Sequence, residues 1–460
     1  MDKPALLVRA PSNQCHDTGI PKVACRLALL LITILLFASA PSLLFQPLTI
    51  SLTHNDPWEG LAAHCKDAQP IHTAEFLERQ RQLAHALHAL NGSTYVAEPG
   101  ASALFFGNIS DASWHLSERP LLLLISPLVD QGEVSARVTI LTPTFEEDRA
   151  KLLNIPGVDV SYVAWHEDED PYTIAVKALP TSSRGPIYVD GMTRHFIVDG
   201  FEKAAPGLSV LLAPAAITSL RERKSPTEIT LLKCANEAQM RIGMRESQVI
   251  QMVDEAVGGC WFDREMGVGA FRGCVAWCVV PSRSDSRTEE NAALPHGTGT
   301  DRVLGRSDFI LIDTGGVLFG YHTWADRSNS RRARYLKTTL RIWWDVHAAQ
   351  TAAMRVARAG VITAEVDKAA RAELTRRGLS PYFTHRLGHG IGLEDHEAPY
   401  LRGGSDIVIN SGHTFSNEPG VYIKGKVGIR LEDCFYINDG GAAVYLTEDV
   451  GAQARDPLHP

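Results

Sequence analysis

The stretch His385-Arg-Leu-Gly-His389-Gly-Ile-Gly392-Leu-Glu-Asp-His396-Glu397 decides how this chain is read. Its imidazoles and carboxylates are interleaved with glycines, which let backbones approach closely and crowd the remaining side chains together. Three other segments share this texture. Phe309-Ile-Leu-Ile-Asp313-Thr-Gly315-Gly316 is an apolar strand that delivers one carboxylate into a glycine turn. Phe415-Ser-Asn-Glu418-Pro419-Gly420 ends a strand on another. In Gly428-Ile-Arg430-Leu-Glu432-Asp433, strand alternation puts Arg430 and Glu432 on one face. Taken singly, Asp before Gly-Gly and Glu-Pro-Gly are ordinary turn signals. Their joint occurrence, in order and within the second half of the chain, points to a shared site.

Carboxylates drawn from separate segments into one cleft repel, so the site requires compensating positive charge. Divalent cations provide it. Oxygen-rich ligation with a single imidazole suits manganese, with cobalt and zinc as alternatives, over a thiolate-seeking ion. Two such ions about 3.5–4 Å apart bridge a water and make it a nucleophile toward a carbonyl.

Around these motifs the chain divides in two. Apolar residues Phe76, Leu77, Leu83, Leu87 and Leu90 recur at helical spacing. Strand-like runs follow at Leu121 to Ile125, Ala136 to Leu141, Val158 to Val163 and Pro186 to Val189, giving an α/β domain over 70–224. Ser225-Pro226-Thr227-Glu228 is a helix-start signal and opens a second domain, 225–450. There, strands are expected at Asp308 to Asp313, Thr414 to Asn417, Val421 to Ile423 and Gly428 to Tyr436. Helices fill Asp345 to Arg358 and Ala364 to Arg377, the latter capped by Thr363 and closed by Gly378. Long crossings between strands make this half α+β.

The 460 residues are 45% hydrophobic and 21% charged, with 37 glycines and 25 prolines, a profile that excludes a wholly disordered, collagenous or coiled-coil chain. A net charge of −8 argues against a nucleic-acid partner, and the one basic run, Arg327 to Lys337, does not alter that expectation. Cys274-x-x-x-Cys278 lacks a second pair and reads as structural rather than as half a zinc site. Near the start, Leu27 to Phe45 carries no charged residue and approaches the ~20 residues that cross a bilayer as a helix. Lys3, Arg9, Lys22 and Arg26 precede it, so the expected arrangement is a cytosolic tail (1–26), a signal anchor (27–45) and a luminal or extracellular body. The alternative is secretion after cleavage at Ala38-Ser39-Ala40. The sequons at Asn91 and Asn108 fit either location.

With Asn291-Ala-Ala-Leu-Pro-His296 added to the motifs above, the chain resembles the pita-bread metallopeptidases: Xaa-Pro aminopeptidases, prolidases, methionine aminopeptidases and creatinase. The resemblance implies an α+β pita-bread catalytic domain preceded by an α/β creatinase-like N-terminal domain. It implies two divalent metal ions held by Asp313, His389, Glu418 and Glu432, with Glu418 also moving the water proton. His296 and His396 would hold substrate and stabilise the tetrahedral intermediate, while Arg430 and His385 support the ligands. The implied reaction is hydrolysis of the N-terminal Xaa-Pro bond of peptides, and the resemblance allows a homodimer, with the membrane as partner expected only from the apolar run at 27–45. The family's second aspartate lies eleven residues after the first, where this chain has Trp324; Asp326, two residues later, is the candidate replacement. A two-residue shift along a strand moves a side chain by roughly 6–7 Å, too far for the same ligand position. Two alternatives follow, an impaired member acting as a peptide-binding or interaction domain, and a creatinase-like C–N hydrolase that needs no metal pair.

Overall fold

In the computed structural model of the chain, the described residues are 65, 68–180, 185–243, 275–282, 291–295, 309–330 and 337–457. They fall within one compact unit, Trp58–Pro460.

The first half is built on a mixed six-stranded sheet. Helix α1 (Thr73–Ala89) leads into β1 (Thr94–Ala97) and α2 (Ala101–Gly107), then the long hairpin β2 (Leu122–Asp130) and β3 (Glu133–Pro143). A short helix α3 (Glu147–Lys151), β4 (Val160–Trp165), α4 (Pro171–Ala178), β5 (Ile187–Val189), α5 (His195–Ala204), β6 (Val210–Leu212) and α6 (Ala215–Glu222) complete it. The strand order is β4-β3-β2-β1-β5-β6. Both faces are covered, which is why Leu121 to Ile125 is a continuous apolar run rather than an alternating one. Alternate residues Leu122 and Leu124 pack with Ile197 and Phe201 of α5. Leu123 and Ile125 face Leu83 and Leu87 of α1 and Phe105 and Phe106 of α2. This second cluster continues into Leu318, Tyr321, Ile391 and Leu393, so the two halves share a core.

Ser225 and Glu228 close a reciprocal capping box at the start of α7 (Pro226–Gly243): the Glu228 amide donates to Ser225 Oγ at 3.1 Å, and the Ser225 amide to Glu228 Oε2 at 2.9 Å. Burial pushes the Glu228 carboxyl above the usual carboxylate range. Arg79 at 3.4 Å and the Tyr321 hydroxyl at 2.8 Å supply its partners from α1 and from the second half. A disulfide from Cys65 to Cys234 of α7 adds a covalent tie that the scattered cysteine spacing did not suggest.

The second half contains β7 (Val275–Ser282), β8 (Phe309–Leu318) and β9 (Tyr321–Ser330) in one antiparallel sheet. Helices α8 (Lys337–Val356) and α9 (Thr363–Arg376) pack together before β10 (Gly388–Gly390), β11 (Glu397–Leu401) and β12 (Thr414–Asn417). The chain closes with β13 (Gly420–Ile423), β14 (Val427–Arg430), β15 (Asp433–Ile437) and β16 (Ala443–Tyr445). The order β11-β10-β12-β15-β16 forms one sheet and β13-β14 a separate hairpin. Three details depart from the sequence reading. Gly428 to Tyr436 is two strands, broken at Leu431-Glu432. Helix α8 begins at Lys337, about two turns before Asp345. Thr363 is the first residue of α9 rather than its cap, and its hydroxyl donates to Ser405 at 2.7 Å.

The transmembrane expectation is corrected: among the described residues no helix is long and apolar enough to cross a membrane. The physical reason is visible in α8, whose 20 residues bury one face yet include Lys337, Arg341, Asp345 and Arg355. Residues 1–26 and 27–45 lie outside the described residues, and the anchored, luminal or secreted placement built on them, with the membrane as partner, is withdrawn.

Candidate metal centre

Three donors converge. One nitrogen of His389 and one carboxylate oxygen each of Glu418 and Glu432 lie within 4.8 Å of one another. Nε2 of His389 is 3.3 Å from Glu418 Oε1 and 4.0 Å from Glu432 Oε1.

Strand register explains the convergence. β12 pairs antiparallel with β15, ending at Asn417↔Asp433, and β13 pairs with β14, beginning at Gly420↔Arg430. Both ladders keep one register, so Glu418 and Glu432 fall opposite each other in the gap between them. The gap is pinned from below by Gln350 of α8, wholly buried, whose Nε2 donates to Asn417 O (3.1 Å), Leu431 O (3.3 Å) and Asp433 Oδ2 (2.9 Å). Its Oε1 accepts from Gln453 at 2.7 Å. β10 lies beside β12 and brings in His389. That approach requires glycine, because a Cβ on Gly388 would lie 2.0 Å from the Ser416 carbonyl oxygen.

His389 is 2% exposed, and its Nδ1 meets the Gly390 carbonyl at 2.9 Å. A carbonyl only accepts, so Nδ1 carries the proton and Nε2 presents a lone pair to the carboxylates. Burial, then the neighbouring His396, lowers its pKa to about 3, which keeps the ring neutral. Ser416 Oγ accepts from the His389 amide at 3.1 Å and donates to Glu418 Oε1 at 3.2 Å, tying strand to carboxylate.

Arg430 supplies the fixed positive charge. It is 4% exposed; NH2 meets Asp313 Oδ2 at 2.6 Å, and NH1 donates to Pro295 O at 2.6 Å and to the Tyr422 hydroxyl at 3.2 Å. Tyr422 in turn meets His385 Nε2 at 3.0 Å, while His385 Nδ1 sits 2.7 Å from the Arg386 carbonyl. The chain of contacts Asp313, Arg430, Tyr422, His385 thus borders the three-donor cluster. His396 is exposed, its ring edge-on to His389 with centroids 4.2 Å apart. His296 lies outside the described residues; Pro295 before it is held by Arg430.

The second aspartate is a matter of ladder register. A two-residue turn, Phe319-Gly320, joins β8 to β9, with φ of 50° and 88°, conformations that glycine adopts freely at the second position. The turn makes Asp326 the direct Cα partner of Asp313 and Trp324 that of Gly315. The expected displacement is therefore along β9 only: the backbone of Asp326 stands across the ladder from Asp313.

Sequence reasoning singled out His385, His389, His396, Asp313, Glu418, Arg430 and Glu432, and the fold brings them into one region. It missed Gln350, Ser416 and Tyr422. Gln350 carried a signal, a lone amide on the buried face of α8 among Val346, Ala349 and Ala353.

One imidazole and several carboxylates, with a buried arginine beside them, suit hard or borderline divalent ions, so the residues present fit a divalent metal. Residues 227–439 match the metallopeptidase family M24. An uncharacterized peptidase of Schizosaccharomyces pombe is 33% identical over 404 residues, covering 86% of this chain and 85% of that protein. The crystal structure of dipeptidase PepE from Mycobacterium ulcerans superposes with a TM-score of 0.68 at 26% identity, covering 85% of this chain and 99% of that one. Over a shorter span, the Xaa-Pro dipeptidase of Lactobacillus delbrueckii subsp. lactis is 39% identical over 155 residues, 33% of this chain and 41% of that protein. The chain belongs to metallopeptidase family M24, and its fold is the pita-bread fold with an N-terminal domain before it. It is a peptidase by family, and family members bind divalent metals.

Proposed function

We propose that this chain is a metal-dependent exopeptidase that hydrolyses the first peptide bond of short peptides carrying proline in the second position. The observation that carries the reading is the convergence of His389, Glu418 and Glu432 within 4.8 Å beside an Asp313 held by buried Arg430. His389, Glu418, Glu432, Asp313 and Asp326 would hold two divalent ions, manganese first. Bound there, such ions polarise the scissile carbonyl and make a water acidic enough to attack it near neutral pH.

The residues themselves do the rest. Glu418, steadied by the Ser416 hydroxyl, is the acceptor for the water proton and its donor to the leaving amine. Arg430 offsets the crowded carboxylates and fixes Asp313. His389, neutral and with its proton committed to Gly390, offers only a lone pair. His396, exposed at the edge of the cluster, and His296 contact the substrate carbonyl and the charge that develops on it. Proline preference rests on the likeness to an Xaa-Pro dipeptidase. Proline's tertiary amide defeats general aminopeptidases, which gives a dedicated enzyme a purpose.

A panel of Ala-Pro, Ala-Ala, Pro-Ala and Ala-Pro-Ala-Ala, assayed with added manganese, cobalt or zinc, tests the proposal. Cleavage of Ala-Pro well above Ala-Ala, lost in chelator, is the expected result. Equal cleavage of Ala-Ala would leave a general dipeptidase instead. One observation favours a second reading, a metal-poor peptide-binding protein: Trp324 stands at the Gly315 rung of the ladder, where the resemblance calls for a ligand. Tight binding of Ala-Pro without turnover, with fewer than two ions retained per chain in excess manganese, would select it.

A further inference from the structure

The segment Glu394-Asp395-His396-Glu397 is held by three bases, two from the end of α6 and the residues just after it and one from β9. Arg221, in the last turn of α6, pairs with Glu394. His322, the second residue of β9, meets Asp395 with Nδ1 at 2.5 Å from Oδ1. Lys224, between α6 and α7, pairs with Glu397, and the two side chains are 1% and 2% exposed. His396 lies between the held residues Asp395 and Glu397, with its ring edge-on to His389.

The Lys224–Glu397 pair is the innermost tether. Lys224 Nζ also donates to the carbonyls of Arg221 at 2.9 Å and Glu222 at 3.3 Å, so its three protons are committed. Its backbone amide donates to Gly412 O at 2.8 Å, and a Cβ on Gly392 would lie 2.6 Å from Lys224 Cε and 2.7 Å from Glu397 Oε1. The glycine at 392 is therefore dictated by this ion pair rather than by the metal cluster. Arg221 continues the network into the first half: NH1 is 3.5 Å from Ser102 Oγ, which donates to Asp190 at 2.5 Å. An ion pair this deeply buried returns little net stability after desolvation, so stability alone does not account for it. What it does supply is a fixed backbone position for the residue after His396.

We propose that Lys224 and Glu397 are positioning residues: their buried ion pair sets the direction of the His396 imidazole against His389 and so its alignment on the substrate. This rests on the reading of His396 as a substrate contact. The inference also couples the junction at 221–224 to the chemistry, since the base and the acid belong to opposite ends of that coupling.

The test uses the full metal-loaded chain with Lys224→Met, Glu397→Gln and the double variant, read by Ala-Pro kinetics, metal content and melting temperature. A ten- to hundredfold fall in kcat is expected in each single variant, with KM within about threefold and metal content unchanged, as misalignment of a reacting group predicts. Independently of turnover, the His396 ring signal in histidine-labelled NMR spectra, assigned with His396→Gln, should move or split in Lys224→Met while that of remote His347 stays in place. A wild-type kcat with an unmoved His396 signal overturns the proposal, as does a loss of kcat that only tracks lost metal or lost folded protein. Should Lys224→Met fail to fold, the double variant, which removes both charges together, is read by the same criteria. Absence of Xaa-Pro hydrolysis in the unsubstituted protein would sink the proposed function, and the NMR comparison would then decide the positioning claim by itself.

Discussion

Arg430 is the residue whose removal most cleanly separates support from ligation. Arg430→Met leaves the side-chain volume near its original value but takes the hydrogen-bond donors from Asp313, Pro295 and Tyr422. Metal affinity is expected to fall ~10–100-fold, the usual cost of losing a group that orients a ligand, and calorimetric titration of the metal-free protein with manganese measures it. An unchanged dissociation constant would remove Arg430 from the metal site. A second residue-scale expectation concerns the ladder. With Asp326 across from Asp313, the unsubstituted chain is expected to hold two ions and Asp326→Asn about one, counted by elemental analysis. If instead two ions appear only after Trp324→Asp, the position two residues earlier is the real ligand site. The main site residues were legible in the sequence because their chemistry is written locally, as acids and imidazoles set in glycine motifs. Lys224, Gln350 and Tyr422 were not, because each acts through partners far along the chain: Lys224 through Glu397, and Gln350 through the two strands that carry Glu418 and Glu432.

At the scale of elements, strand alternation and register do most of the positioning. Gly388 lies where β10 crosses within reach of Ser416, and a methyl group there meets backbone that has no rotamer to yield. Gly388→Ala should therefore destabilise the protein by on the order of 3 kcal/mol and push His389 away from Glu418, read as a lowered urea midpoint together with weakened metal binding. A variant with the original midpoint would show that β10 and β12 are looser than the close approach indicates. The capping box at Ser225 and Glu228 and the end of α9 at Gly378, with φ of 70°, followed directly from local propensity. The break at Leu431-Glu432 did not, since Ile429 to Glu432 alternates apolar and polar, Cys434 to Tyr436 is apolar, and the adjacent acids Glu432-Asp433 do not by themselves end a strand. Only the switch of partners, from β13 to β12, divides it.

For the molecule as a whole, the joint between the halves adds buried charges to a shared apolar core, and one histidine reports on those charges. His413 is 2% exposed, and burial, with the nearby Lys224 and Arg223 charges, lowers its pKa to about 4. In the unfolded chain the same ring titrates near 6.5, so between the two values the unfolded state binds a proton that the folded state refuses. Its contribution to stability is accordingly complete above about 6.5 and is lost as pH falls through about 4, on the order of 3 kcal/mol in all. His413→Asn should flatten the fall in melting temperature between pH 7 and pH ~4.5, and an identical slope in the variant would remove this histidine from the account. Four of the six strands of the first sheet were legible as apolar runs, while β1, β6 and the core shared by the two halves were not; the transmembrane reading rested on one such run near the start and found no counterpart in any described helix.

The central claim is that the cluster of His389, Glu418 and Glu432 serves metal-dependent hydrolysis of a proline-containing peptide. The measurement that bears on it most directly is the rate of Ala-Pro hydrolysis by the purified chain, metal-stripped and then titrated with manganese. Negligible hydrolysis in the stripped protein, recovery as manganese is added, and no recovery in Glu418→Gln are the expected results. Hydrolysis that persists without metal, or its absence in fully loaded protein, would contradict the claim.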